Sequence, residues 1–290
     1  MSAIGDIAEI FRLAQMRHSG AWVANRTELA YDAQLDVLAS HPSSFLMIDA
    51  TLTPPRFLDA GEAALVVEFG HIVDPAVNDR VLALDRALNA DLPEGVRELV
   101  PTYRSLMIHY DPLRIGRDVL VELVGQRLAA PASVGRPLRS WIVPCCYQRP
   151  HGEDLEEVAA LLRLRAEQVV ASHTAATYRS YMYGFSPGNT YLGGVREEIA
   201  ISRRSKPRPP HASKAVLIGG GLCTISTFSM PTGWYVVGRT PERFYAPNRA
   251  SAFLIEPGDN LRFEPIDAAT FEALEKRAEA GEVVARTVTP

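Results

Sequence analysis

The sequence predicts an α+β chain, a ferredoxin-like βαββαβ unit followed by a β-barrel, and three observations carry that reading. Regular apolar periodicity starts at Ala63 and alternates strand and helix patterns as far as Val143. Beyond the middle of the chain, short β-prone runs are separated by Gly-, Pro- and Ser-rich turns. The 290 residues, 47% of them hydrophobic, suffice for two separate cores.

Taken in order, Ala63–Phe69 is a Val-rich strand, and Asp74-Pro75 opens a helix with Val77, Val81, Leu84 and Leu88 on one face. Val96–Val100 and Ser105–Tyr110 read as two strands either side of a turn after Pro101. Ile115–Leu128 has helical spacing, and Leu138–Val143 is an apolar strand that completes the split motif, giving an antiparallel sheet with both helices on one face. Pro144 and Pro150 mark a boundary. Asp154 and Glu157 form a capping-box-like start for a helix bearing Leu155, Val158, Leu161 and Leu162, and a second helix covers Ala166–Ala175. Strands are expected at Ala215–Ile218, Trp234–Val237, Ala252–Ile255 and Asn260–Phe263, then a charged helix at Ala268–Ala280. The expected divisions are an extension at 1–55, domains at 56–144 and 145–267, and a helix and tail at 268–290. The extension, with an amphipathic stretch at Ile7–Met16, is either a docking arm or sequence ahead of an internal start such as Met47.

Composition excludes several classes. A net charge of -4 with scattered basic residues offers little to a phosphate backbone, so nucleic acid is not an expected partner. No apolar run spans a bilayer and no signal peptide opens the chain, so a cytoplasmic protein with no membrane partner is expected. The three cysteines, Cys145, Cys146 and Cys223, lack metal-clamp spacing, and the histidines are dispersed, so no metal site is expected.

Gly184-Phe185-Ser186-Pro187-Gly188 matches the nucleophile-elbow pattern of serine hydrolases. That elbow needs a backbone N–H from the residue after the serine, and Pro187 has none, so the run reads as a rigid loop approaching a ligand. Gly219-Gly220-Gly221 lacks the Lys-Ser/Thr of a phosphate loop and reads as a tight turn between strands. His173 closes the second helix; it is either a proton shuttle near neutral pH or a histidine favoured by the helix dipole, and spacing alone favours the latter. Arg203 and Arg204, in a Pro-stiffened basic run, and Arg239 at a strand end are candidate anion contacts, or solvated side chains.

In order and spacing, His173-Thr174 with Tyr178, the Gly184–Gly188 loop with Tyr191 and Gly193-Gly194, Arg203-Arg204, Gly233-Trp234 and Gly238-Arg239-Thr240-Pro241 resemble one family. Arg56-Phe57-Leu58, Gly61-Glu62, Glu68-Phe69-Gly70, Glu98–Ser105 and His109–Pro112 agree with it. That family is allophanate hydrolase subunit 1, or KipI, which includes the B-type subunit of 5-oxoprolinase; the resemblance covers residues 56–267. It implies a cyclophilin-like β-barrel after the ferredoxin-like domain, and a subunit inactive alone, joined to a subunit-2 or subunit-C-like partner in an ATP-dependent hydrolase of a small amide. ATP, with Mg, would be used by the assembled enzyme. The resemblance implies His173 as acid/base group, and Ser186, Pro187, Gly188, Tyr191, Arg203 and Arg239 as substrate contacts. Members called KipI instead inhibit a sensor histidine kinase, which is the competing, non-catalytic expectation. The chain departs from the family at Asn189-Thr190, at Leu222 where a glutamine is usual, at Cys223–Thr227 and at Thr232, so a changed substrate preference or lost turnover is expected.

Overall fold

The computed structural model describes residues 54–130 and 137–288. The extension expected at 1–55, with its stretch at Ile7–Met16 and the alternative start at Met47, therefore lies outside the described residues up to residue 53.

The first sheet has four antiparallel strands in the order β1-β2-β4-β3: β1 Arg56–Asp59, β2 Ala64–Glu68, β3 Val96–Pro101 and β4 Ser105–Tyr110. Alternation sets its register, with Leu65 opposite Ile108 and Val67 opposite Leu106, all four buried. Helices α1 (Pro75–Ala90) and α2 (Arg117–Ala129) cover that face with Val77, Val81, Leu84 and Leu88, and with Leu120 and Val124. Each such buried aliphatic contributes about 1.5–3 kcal/mol over exposure. Helix α1 starts where Asp74 accepts hydrogen bonds from the N–H groups of Ala76 (2.8 Å) and Val77 (3.2 Å) and Pro75 pre-sets φ.

The strand expected at Leu138–Val143 to complete this sheet does not join it. It runs as β5, Ser140–Cys146, in the second sheet, and the hairpin partner of β2 that takes the vacant edge is β1. Buried Trp141, Val143 and Cys145 on β5 belong to the second core, which is the physical reason for its allegiance.

The second sheet runs β10-β8-β9-β7-β6-β11-β5, and β5 meets β10 again at Cys146 and Arg239, which closes seven strands into a barrel. Its further strands are β6 Tyr178–Tyr183, β7 Thr190–Gly193, β8 Ala215–Gly219, β9 Leu222–Ile225, β10 Tyr235–Arg239 and β11 Asn260–Ile266. A short β12, Arg286–Val288, pairs with the first half of β5 outside the ring. Val216, Ile218, Ile225, Val237, Leu261 and Phe263 fill the interior. Helices α3 (Leu155–Leu162) and α4 (Ala166–Ala175) press Leu155, Val158 and Val169 into the same core, and α5 (Ala268–Glu279) anchors through buried Phe271.

Two local expectations change. Asp154 does not cap α3 with its side chain; its carboxylate accepts from the Val236 N–H (2.8 Å) and pairs with Arg208 and Arg204. Ala252–Ile255 forms no strand, only an isolated bridge from Phe253 to Tyr245. The triple glycine behaves as expected: Gly219 pairs with Leu222, and Gly220 and Gly221 between them have φ of 60° and 73°, as a two-residue hairpin turn requires.

Side-chain bonds tie the two sheets together. Buried Asn78 of α1 donates to the carbonyls of Thr102 (3.0 Å) and Tyr181 (3.4 Å) and accepts from Arg179 (3.1 Å). No helix among the described residues is long and apolar enough to cross a membrane.

Candidate functional site

The loop between β6 and β7 is pinned by its own backbone: the N–H of Gly184 donates to Asn189, that of Ser186 to Gly184, and that of Asn189 to Ser186. Thr227 Oγ1 donates to the Pro187 carbonyl (2.6 Å), fastening the loop to the chain beyond β9. Gly188 has φ of 73°, and a Cβ there would fall 2.5 Å from Tyr245 Cβ, so only glycine fits. Phe185 also has positive φ, 70°, and stands 79% exposed. Ser186 Oγ is buried without a hydrogen-bond partner among the described residues, so no base stands against it.

Beside this loop lies a cavity of about 300 Å³. Phe185, Tyr191 and Trp234 form its aromatic walls, the last two meeting edge to face at 6.2 Å. Tyr103, from the β3–β4 turn, backs Tyr191 at 6.2 Å and Tyr181 at 5.6 Å, so the first sheet supports the wall. Asn189, Thr224, Ser226 and His211 add buried polar groups to the lining. Thr224 spends its hydroxyl proton on the Thr190 carbonyl (2.9 Å) and Ser226 its own on Phe228 (2.9 Å).

Arg203 also lines this cavity. Its guanidinium makes no hydrogen bond or ion pair among the described residues, and its stem passes Gly219, where a Cβ would approach Arg203 Cγ at 3.5 Å. An unpaired guanidinium in a cleft rimmed by aromatic rings attracts a planar anion such as a carboxylate. Burial raises the Tyr191 phenol above its ordinary pKa, against the opposing pull of Arg203, so it remains a neutral hydroxyl. Trp234 belongs to the Gly233-Trp234 motif and Asn189 to a departure from the family pattern, neither of which pointed to a cavity wall; His211, on a Pro-rich connector with no motif around it, went unassigned in the sequence.

Ser186, Pro187, Gly188, Tyr191 and Arg203 thus gather around one cleft or its loop, whereas Arg239 lines a second cavity, about 400 Å³, with Arg149, His151 and Arg208. Arg239 is already engaged: it donates to the Ser213 carbonyl (2.9 Å) and Glu275 (3.1 Å), and its guanidinium lies over Phe271. Arg204 is likewise spent on Glu157, bidentately at 2.8 and 2.6 Å.

His173 is fully buried in the barrel core and lines neither cavity. Its Nδ1 meets Tyr147 Oη at 2.8 Å, its Nε2 lies 3.7 Å from Cys223 Sγ, and its ring packs on Phe263 and Tyr178 at 4.7 and 5.1 Å. Burial pulls its pKa down to about 3, so the ring is neutral at physiological pH. Among the described residues no three His, Cys, Asp or Glu side chains converge as metal ligands.

The family model for the carboxyltransferase domain, subdomain C and D, matches residues 55–255. The chain belongs to this family. It is 31% identical over 229 residues to the B-type subunit of 5-oxoprolinase from Bacillus subtilis, covering 75% of this chain and 95% of that one. To the corresponding 5-oxoprolinase subunit of Escherichia coli O157:H7 it is 32% identical over 206 residues, covering 71% and 93%. Among solved structures, TTHA0988 superposes with a TM-score of 0.64 at 35% identity over 71% of this chain, which spans only 40% of that protein. The Kluyveromyces lactis urea amidolyase shares the fold, with a TM-score of 0.65 at 16% identity over 81% of this chain and 16% of that one. This carboxyltransferase-domain protein is therefore similar to the B-type 5-oxoprolinase subunits along most of its described length.

Proposed function

We propose that this carboxyltransferase-domain chain is the B-type subunit of an ATP-dependent hydrolase that opens the amide of 5-oxoproline, or of a close anionic relative, to release an amino acid. The carrying observation is the match to the B-type 5-oxoprolinase subunits along nearly their whole length. The cleft is consistent with it: Arg203 holds the substrate carboxylate and Tyr191 and Trp234 flank its ring, while Ser186, Pro187 and Gly188 belong to the pinned loop that carries Phe185 to the rim.

In this reading His173 supports the barrel core rather than exchanging protons, because its buried ring faces Tyr147 and Cys223. Arg239, paired with Glu275, braces α5 against the barrel. The triple glycine, Gly219–Gly221, is spent on a hairpin turn, so it offers ATP no phosphate cradle. ATP, with its Mg, is assigned to the assembled enzyme, completed by subunit-C-like and further partners, where it would supply the phosphoryl group that activates the amide carbonyl.

The test is co-expression with candidate partner subunits, followed by ATP hydrolysis and glutamate release with and without 5-oxoproline. Stimulated turnover in the complex, and none by this chain alone, is expected. A stable complex that leaves 5-oxoproline and other small carboxylated amides untouched would sink the enzymatic reading and leave the regulatory one.

A further inference from the structure

His211 lies on the connector between the basic run and β8, and the backbone fixes where it sits. Its N–H donates to the Met230 carbonyl (3.2 Å), and the Arg208 N–H donates to Thr232 (2.8 Å), so the connector is laid against the loop that carries Trp234. The imidazole is 2% exposed, and its Nδ1 lies 2.7 Å from the Ala212 carbonyl oxygen.

A carbonyl oxygen has no proton to give, so Nδ1 must carry one. In the neutral ring Nε2 is then an acceptor only. Burial lowers the pKa of this histidine and holds the ring in that form; the bond to the Ala212 carbonyl opposes it, Arg208 pushes with burial, and Glu153 and Asp154 push against it. Nε2 makes no hydrogen bond among the described residues, and the residue lines the same cavity as the unpaired Arg203.

One wall therefore offers a fixed positive charge and another a fixed neutral acceptor. No ligand that is merely anionic uses both. We infer that Nε2 of His211 accepts the N–H of a small ligand whose carboxylate Arg203 holds, and so makes the cleft selective for anions that carry a hydrogen-bond donor. The inference rests on the cleft's being the substrate site, and it adds a contact that fixes the ligand's orientation: donor toward His211, carboxylate toward Arg203.

Two substitutions separate this role from a packing one. In His211→Asn the side-chain amide still reaches the Ala212 carbonyl, but nothing occupies the place of Nε2. In His211→Gln the amide reaches toward that place. The probes are L-5-oxoproline and its lactone analogue, which keeps ring and carboxylate but has oxygen in place of N–H. Affinities are measured by calorimetry on the full chain in complex with its partner subunits.

The unsubstituted protein is expected to prefer 5-oxoproline over the lactone by roughly tenfold, the effect of leaving a buried acceptor unpaired. His211→Asn should bind both probes equally, at the level of the lactone, with an unchanged unfolding midpoint, and His211→Gln should recover part of the preference. Arg203→Gln should weaken both probes alike. A full preference for 5-oxoproline in His211→Asn, with both probes still weakened by Arg203→Gln, overturns the role of His211 and leaves the proposed function standing. Binding of neither probe to the unsubstituted complex overturns both.

Discussion

Protonation of His173 gives the sharpest stability prediction. Its pKa is about 3 in the folded chain against 6.5 for an ordinary histidine. Between those values the unfolded chain binds a proton that the folded chain refuses, so stability falls as pH falls. The sign is that of a base kept neutral by burial: no cost above pH 6.5, and a growing one below. One pKa unit corresponds to about 1.36 kcal/mol, so going from pH 7 to pH 5 removes about 2 kcal/mol through this residue. Urea unfolding at both pH values, on the natural chain and on His173→Gln, isolates the effect. The glutamine variant starts less stable, because it loses ring packing on Phe263 and Tyr178, yet its dependence on pH should be shallower by that amount. The other lowered histidines, His151 and His211, titrate in both proteins and cancel in the difference. Parallel pH dependences would refute the reasoning, as would an imidazole NMR resonance of His173 that titrates near pH 6.5 in the folded protein.

Other expectations are simpler. Asn78→Ala strands the carbonyls of Thr102 and Tyr181 and one contact of Arg179, and should cost about 1–3 kcal/mol, read as a lower thermal midpoint. Gly188→Ala should cost about 1–2 kcal/mol from its backbone angle alone, and more from the approach to Tyr245; limited proteolysis at the β6–β7 loop would report the displaced chain. Cys145, Cys146 and Cys223 are buried, and burial raises all three thiols, so an aromatic disulfide reagent at pH 8 should release nothing from the native chain and all three equivalents in denaturant.

What the sequence discloses is what short-range chemistry decides. Asp74-Pro75 announces α1 because cap and fixed φ act within one turn, and the run of glycines announces the β8–β9 hairpin because few residues tolerate its angles. Which sheet a strand joins is another matter. β5 looks like the last strand of a split βαββαβ motif, but its allegiance depends on partners β11 and β10, more than ninety residues further on. The site divides the same way. The Gly184–Gly188 loop and Arg203 are visible as motifs and do meet at a cleft, whereas Arg239 is consumed by Glu275, a contact no spacing rule foretells. His211 is invisible in sequence because what distinguishes it, a tautomer fixed by the next residue's carbonyl, belongs to geometry alone.

The exchange of an edge strand has a consequence for how such a chain can be rearranged. With β1 filling the open edge, all four strands of the first sheet come from one continuous run, residues 56–110, and all seven staves of the barrel from another, residues 140–266. Neither borrows a strand from the other, so a cut between α2 and β5 would expose no new hydrogen-bonding edge in either. In hydrogen-bond pairing each half is a self-contained ladder, so a rearrangement that moved one relative to the other would break no strand pairing and would have to re-form only side-chain contacts such as those of Asn78, Arg179 and Tyr103.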